Sequence, residues 1–345
     1  MKYVILWGCV FILCACNVSP TVPPVALTAT STPTPVPTST LTPSPTPLTD
    51  AQQYLSDALD IIQENAFNSS KVDWTKLRPK LLNAATDAKS PADTYKIIQY
   101  VLGALSDRHS HFMTPDAAET MNNSTTTDYT VPTGKLIEGR LGYVAVFGFA
   151  AQKDEELNKY ADEIQNIIID LSEQTICGWI VDLRSNSGGN MWPMIAGLGA
   201  LIGEGKLGTF KNSKGQTIDW YYRDGQSWEG KRSIAGVSHP EFVLNPDEIP
   251  IAVLIGPQTA SSGEATALSF RGRPNTQFFG KPSAGLTTSN HIYVLSDGAL
   301  ILLTTAIEVD RTGQEYGGSI IPDITTPNPE QEAVNWLLEQ PSCGK

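Results

Sequence analysis

Apolar residues recur at helical spacing from residue 49 to about 106. Thr49 or Asp50 can cap a helix whose Tyr54, Leu55, Leu59 and Ile62 share one face. Ser90-Pro91 supplies an N-cap and first-turn pair for another helix, with Tyr95, Ile98, Val101, Leu102 and Leu105 on its apolar side. After a polar, Thr-rich loop at 122–133 the texture changes. The pattern predicts a strand at 142–149, an amphipathic helix at 155–171 and a buried strand at 178–184. A glycine turn then leads into a helix from about Met191. A continuous apolar strand at 250–256 precedes a helix near 262–270, and further strands follow at 278–279, 291–296 and 299–308. Alternating strands and helices predict an α/β core with parallel strands, covered on both faces.

The N-terminus has a different texture. Lys2 precedes an uncharged apolar stretch, 3–14, too short for a mature membrane span, which reads as a signal-peptide core. Its end, Leu13-Cys14-Ala15-Cys16, resembles the bacterial lipobox, in which the cysteine is diacylated and becomes the new N-terminus. Two acyl chains suffice for stable anchoring. Residues 17–49 carry no charge and hold nine of the 24 prolines with ten threonines. That composition predicts an extended spacer reaching on the order of 100 Å. The domain organisation expected is a lipoprotein signal peptide at 1–15, a Pro/Thr-rich disordered linker at 16–48 and an N-terminal helical domain at 49–112. A core domain at 135–330 and a C-terminal helix and tail at 331–345 complete it.

Composition narrows the function classes. The 345 residues, 41% hydrophobic, can bury a core of one large domain or two. A net charge of −12 argues against nucleic acid as a partner. The single long apolar run excludes a multi-span membrane protein. After export Cys177 and Cys343 remain beyond the lipidated Cys16, as a disulfide or as a buried thiol and a free tail thiol. The four histidines are not clustered with acids as a zinc site needs, so no metal or cofactor is expected.

Three segments break the rules of strand and helix. In 182–190 a buried strand ends in Gly188-Gly189, where positive φ frees backbone N–H groups for an anion or a developing oxyanion, or simply makes a tight turn. In 258–264 Ser261 and Ser262 stand between a buried strand and a helix, as a nucleophile at the carboxyl edge of the sheet or as ordinary caps with Glu264 in the first turn. The third is His109 in the Asp107-Arg108-His109-Ser110 turn, either a general base of suitable pKa for a serine or an inert surface histidine, with His111 an alternative two residues away.

Together these segments resemble the C-terminal-processing and tricorn-core serine peptidases, the tail-specific protease family. The likeness rests on Leu-x-Asp-x-His-Ser (105–110), Gly-Tyr-Val-x-x-x-x-Phe (142–149) and Asp-Leu-Arg-x-Asn-x-Gly-Gly (182–189). It continues in Thr-Ala-Ser-x-x-Glu (259–264), Gly-x-x-x-x-Gly (280–285) and Glu-x-x-Gly ahead of Pro-Asp (315, 318, 322–323). The resemblance implies an α/β fold with a ClpP/crotonase-like core of ββα units and a small N-terminal helical domain. It assigns Ser261 as nucleophile, the N–H of Ser262 and of Gly188 or Gly189 as oxyanion donors, and Glu264 as the glutamate that organises the site.

The family's Ser-Lys branch carries its lysine 25 residues after the serine. Leu286 stands there, and Lys281 lies five residues early, so the resemblance favours the tricorn-like branch, with His109 as base oriented by a late glutamate or neighbouring group, and Glu315 as the glutamate that orients or tunes the site. Arg108 is bulkier than the residue common at its position, and could restrict access or bind a substrate carboxylate. Only about 30 residues separate Phe112 from Tyr143, too few for a PDZ domain. Tail specificity therefore does not carry over. Trp192, Trp220, Tyr221 and Tyr222 could line a groove or pack a core. The expected function is a serine-type peptidase of the bacterial cell envelope, anchored by lipid on the extracytoplasmic side and acting on peptides or unfolded proteins. The alternative is a non-catalytic ligand- or peptide-binding lipoprotein on the same scaffold.

Overall fold

The computed structural model describes residues 47–123, 129–151, 153–245 and 248–344. The segments expected to form a signal peptide (1–15), a lipid attachment site at Cys16 and the linker up to residue 46 lie outside the described residues. From Pro47 onward the chain forms one compact unit.

Helix α1 (Asp50–Asn65) opens with a capping box between Thr49 and Gln52 and buries Tyr54, Leu55, Leu59 and Ile62. Helix α2 (Trp74–Ala84) follows. Ser90 caps a short 3-10 turn, Pro91–Thr94, that runs into α3 (Tyr95–Ala104). Strand β1 (His111–Met113) and α4 (Pro115–Asn123) complete this part.

Strands β2 (Thr133–Ile137) and β3 (Leu141–Ala145) lead into α5 (Asp154–Ser172), a ββα unit. Strand β4 (Gly178–Asp182) and α6 (Met191–Ile202) come next. Four antiparallel strands follow, β5 (Gly205–Asn212), β6 (Thr217–Arg223), β7 (Gln226–Glu229) and β8 (Arg232–Gly236). Then come β9 (Ile251–Ile255), α7 (Ser262–Leu268), β10 (Thr276–Gly280), β11 (Thr288–Val294) and β12 (Leu300–Asp310). Strand β13 (Ile324–Thr325) and α8 (Pro329–Leu338) close the fold.

The strands form two sheets. The six-stranded sheet runs β13-β10-β9-β4-β3-β2, parallel except for the β2–β3 pair at its edge. Strands β3, β4 and β9 are buried throughout, as their unbroken apolar runs require. The second sheet is antiparallel, β1-β12-β5-β6-β7-β8, with β11 also on β12. The parallel core matches the sequence expectation, but the antiparallel sheet was not foreseen. Its strands β5 to β8 fall between the helix expected from Met191 and the strand expected at 250–256, where the sequence pattern predicts no element. Trp220 stacks on Phe210 inside it, and Trp220 and Tyr222 are buried, so these two aromatics pack a core and line no groove.

The N-terminal helices share a hydrophobic cluster with the β11–β12 hairpin, joining Leu55, Leu59, Ile98 and Leu105 to Leu295, Ile301 and Leu303. Truncating one such buried Leu or Ile to Ala costs about 2–5 kcal/mol. Asp297 at the hairpin tip accepts the hydroxyls of Tyr54 and Tyr95, at 2.9 and 2.5 Å. Cys177 and Cys343 form a disulfide that ties the start of β4 to the C-terminal tail.

Candidate active site

Loops at the carboxyl ends of β4, β9 and β10 converge, where parallel α/β sheets place their chemistry. Ala260 N–H donates to Asn186 C=O at 3.0 Å, and Thr259 Oγ1 to Leu183 C=O at 2.8 Å. Ser262 Oγ donates to Gly189 C=O at 2.8 Å. Ala284 N–H, after β10, donates to Thr259 C=O at 2.9 Å. Asp182, Arg184 and Tyr143 form a salt-bridged, hydrogen-bonded group at the ends of β3 and β4. Several residues of the sequence motifs therefore serve to join loops and strands.

Ser261 has φ 51° and ψ −120°, outside the comfortable region for a side-chain-bearing residue. Such strain costs on the order of 1–3 kcal/mol and concentrates at active sites. A serine on a sharp strand-to-helix turn is the arrangement of a nucleophile elbow.

Glu264 holds that turn. It is fully buried, and its Oε2 accepts the N–H of Ser261 at 2.9 Å and of Leu286 at 2.7 Å. Its Oε1 accepts Gly285 N–H at 2.8 Å and the Ser283 hydroxyl. Burial raises the Glu264 pKa, and the four hydrogen bonds oppose the rise. Glu308 of β12, which sequence reasoning did not single out, is also fully buried. Burial, and after it the Glu264 charge, raise its pKa well above the ordinary value. Its Oε2 has no hydrogen-bond partner among the described residues. Both effects favour the neutral form of the Glu308 carboxyl. No motif pointed to it, because it sits inside an ordinary strand pattern.

Gly188 and Gly189 adopt φ of 102° and 114°. A Cβ on Gly188 would stand 2.9 Å from Ser261 Cβ, so the glycine permits the close approach. Of the two glycines read as oxyanion donors, Gly188 is engaged, its N–H donating to Asn186 Oδ1 at 3.0 Å. Among the described residues, the N–H groups of Gly189 and Ser262 have no hydrogen-bond partner.

His109 sits in the turn that leads into β1 of the other sheet. Asp107 accepts the N–H groups of His109 and Ser110, at 3.0 and 2.6 Å, and shapes the turn. Ser110 Oγ accepts Thr304 N–H, and Asn290 Nδ2 donates to His109 C=O at 2.9 Å, so the turn is fixed to β11 and β12. His109 Nδ1 lies 2.7 Å from Thr288 Oγ1, a partner the sequence did not suggest. Burial lowers the His109 pKa to about 4; the Asp107 charge opposes this and His111 adds to it. Arg108 is exposed and donates to Ala284 C=O at 2.8 Å. His111 is exposed on β1, its Nδ1 against His109 C=O.

Ser261, Ser262, Glu264, Gly188 and Gly189 are thus brought together, and the 283–288 segment links them to His109. No hydrogen bond joins His109 to Ser261 among the described residues. Glu315 does not reach His109. Its carboxylate pairs with Lys211 Nζ at 2.6 Å in a solvent-exposed ion pair beyond the end of β12, and Thr288 holds the imidazole instead. Among the described residues no cluster of His, Cys, Asp and Glu could hold a metal ion.

Residues 140–326 match the family model described as Peptidase family S41. The nisin-resistance protein of Lactococcus lactis subsp. lactis is 31% identical over 290 residues, covering 84% of this chain and 87% of that protein. A lipoprotein from Streptococcus agalactiae has a similar structure, with TM-score 0.70 and 28% identity over 86% of this chain and 99% of that one. The photosystem II D1 C-terminal processing protease shares the fold, with TM-score 0.59 and 16% identity over 86% and 99% of the two chains.

Proposed function

The chain belongs to peptidase family S41, and from that premise we propose that it is a serine peptidase, exported and held at a membrane by lipid on Cys16. It hydrolyses peptide bonds in peptides or unfolded proteins. The observation that carries the reading is the conformation of Ser261, a strained serine whose N–H is held by the buried Glu264 carboxylate. Beside it stand the N–H groups of Ser262 and Gly189, without a hydrogen-bond partner among the described residues. The relatives' names, a nisin-resistance protein and a lipoprotein, support the exported, membrane-held location and make nisin the first substrate to test.

In this reading Ser261 Oγ adds to the scissile carbonyl carbon and gives its proton to His109 Nε2. A proton on His109 Nδ1, donated to Thr288 Oγ1, leaves Nε2 as the acceptor. The N–H groups of Ser262 and Gly189 receive the negative charge developing on the carbonyl oxygen. His109 returns the proton to the leaving amine, the C–N bond breaks and an acyl ester remains on Ser261. Water, deprotonated by His109, then releases the acid and restores the serine. Substrate must draw His109 Nε2 and Ser261 Oγ into hydrogen-bond reach, a tightening common between free and occupied sites.

The lack of a His109–Ser261 bond in the free protein is what favours the second reading, a peptide-binding lipoprotein without catalysis. A fluorophosphonate probe separates the two. The peptidase reading expects one adduct on Ser261, absent in Ser261→Ala and strongly reduced in His109→Ala. A folded wild type that takes up no probe moves the assignment to binding.

A further inference from the structure

Strand β11 begins at the residue that holds His109 and ends in an open edge. One side pairs with β12; among the described residues no strand pairs with the other. The phase of the ladder follows from two observations. Leu295 N–H donates to Ala299 C=O, which makes the pairs at Tyr293 and His291 the inward, hydrogen-bonded ones. Opposite Asn290, Thr304 turns its N–H to Ser110 Oγ and its C=O to Phe67 N–H, away from β11. The backbone N–H and C=O groups of Asn290, Ile292 and Val294 therefore point away from β12, and among the described residues no hydrogen bond satisfies them.

The side chains add a second anomaly. Ile292 and Val294 are 46% and 70% exposed, aliphatic residues on an unpaired edge. Edges of that kind template association and are ordinarily blunted by lysine, proline or a covering element. Residues 290–294 hold neither lysine nor proline. A bulge at Ser289/Asn290 re-aims the strand where it leaves the site, a feature frequent beside active sites.

We infer that the free edge of β11 receives the substrate as an added strand. An extended polypeptide pairs its main chain with Asn290, Ile292 and Val294 and lays aliphatic side chains against the latter two. The inference rests on the peptidase reading. Its occupant follows from continuity, because the edge starts at Thr288, whose hydroxyl holds the imidazole, and two residues after Leu286, whose N–H Glu264 holds. At roughly 3.4 Å per residue the strand carries a chain about 20 Å from the histidine. Main-chain pairing gives affinity with little demand on sequence, and side-chain contacts at alternate positions add selectivity.

The test uses amide-resolved hydrogen exchange on full-length Ser261→Ala in detergent, with nisin and, separately, β-casein. The inference expects slower exchange at Asn290, Ile292 and Val294 when either binds. In the otherwise wild-type chain, Ile292→Pro removes one outward N–H and leaves the β12 ladder intact. KM should rise roughly 3–10-fold, the loss of about one hydrogen bond, with kcat unchanged. Unchanged exchange under bound peptide, or an unchanged KM in folded Ile292→Pro, overturns the inference. So does protection that grows with protein concentration without peptide, which assigns the edge to a second copy. Loss of the peptidase reading shows separately, as a wild type whose cleavage does not depend on Ser261.

Discussion

His109 Nδ1 stands 2.7 Å from Thr288 Oγ1, so a neutral hydroxyl occupies the place where a carboxylate orients the imidazole in a Ser-His-Asp triad. Such a partner orients the ring without adding charge, and in the proposed mechanism it accepts the Nδ1 proton. Thr288→Val, nearly isosteric, should lower kcat/KM roughly 5–30-fold, the cost of about one to two kcal/mol of lost hydrogen bonding. Thr288→Ser should retain most of the activity. Equal activity in Thr288→Val and wild type would remove the threonine from the mechanism.

The same histidine sets a pH dependence. With its pKa lowered from 6.5 to about 4 by burial, it stays neutral well below pH 6, the form that the proposed mechanism needs. The pH profile of kcat/KM should therefore lack an acid limb near 6.5. The unfolded chain binds the extra proton in this window, so His109 makes stability fall as pH drops from about 6.5 toward 4. In His109→Gln that contribution should vanish from urea melts taken across the window.

Glu264 and Glu308 are both buried, but they should respond oppositely to amide replacement. Glu264→Gln puts an NH₂ where two groups donate, leaving at least one of the Ser261, Gly285 and Leu286 N–H groups without an acceptor. The expected cost is about 1–3 kcal/mol of stability with near-complete loss of activity. Glu308→Gln keeps the shape, removes the charge that burial disfavours and breaks no hydrogen bond to Oε2, so it should stay close to wild type in both. Melting curves and peptide hydrolysis read the contrast.

Glu315→Ala should leave kcat/KM within about twofold of wild type, because its exposed pair with Lys211 is of the kind worth at most about 1 kcal/mol. A large drop in rate would return Glu315 to the site.

The Cys177–Cys343 disulfide closes a separation of 166 residues and lies at the start of β4, away from the strand ends that carry the site. In the chain-entropy picture its removal costs about 3–5 kcal/mol. Cys177→Ser with Cys343→Ser should lower Tm by roughly 5–8 °C and keep kcat/KM below the transition.

Strands β4 and β9 were legible because parallel strands buried on both faces read as unbroken apolar runs. The loops holding Ser261, Glu264 and Gly189 were legible because glycine and serine at a strand-to-helix junction are rare punctuation. The β5–β8 meander was not, since its half-buried strands with tight turns leave a weak period in a polar segment. Thr288 and Glu308 were hidden for another reason. Each is one residue in a strand, and its meaning arises only when β11 and β12 fold back on the His109 turn. Glu315 pairs with Lys211 in the structure, because spacing along the chain does not say which way a side chain points after a turn.

The central claim is that Ser261 and His109 act as one unit. Its most direct test is kcat/KM for wild type, Ser261→Ala, His109→Ala and the double variant on nisin or β-casein, whichever is cleaved faster. The account predicts that each single substitution falls by on the order of 10⁴–10⁶ to a common floor, and that the double variant falls no further. A His109→Ala enzyme within about tenfold of wild type, or a double variant far below both singles, would contradict it.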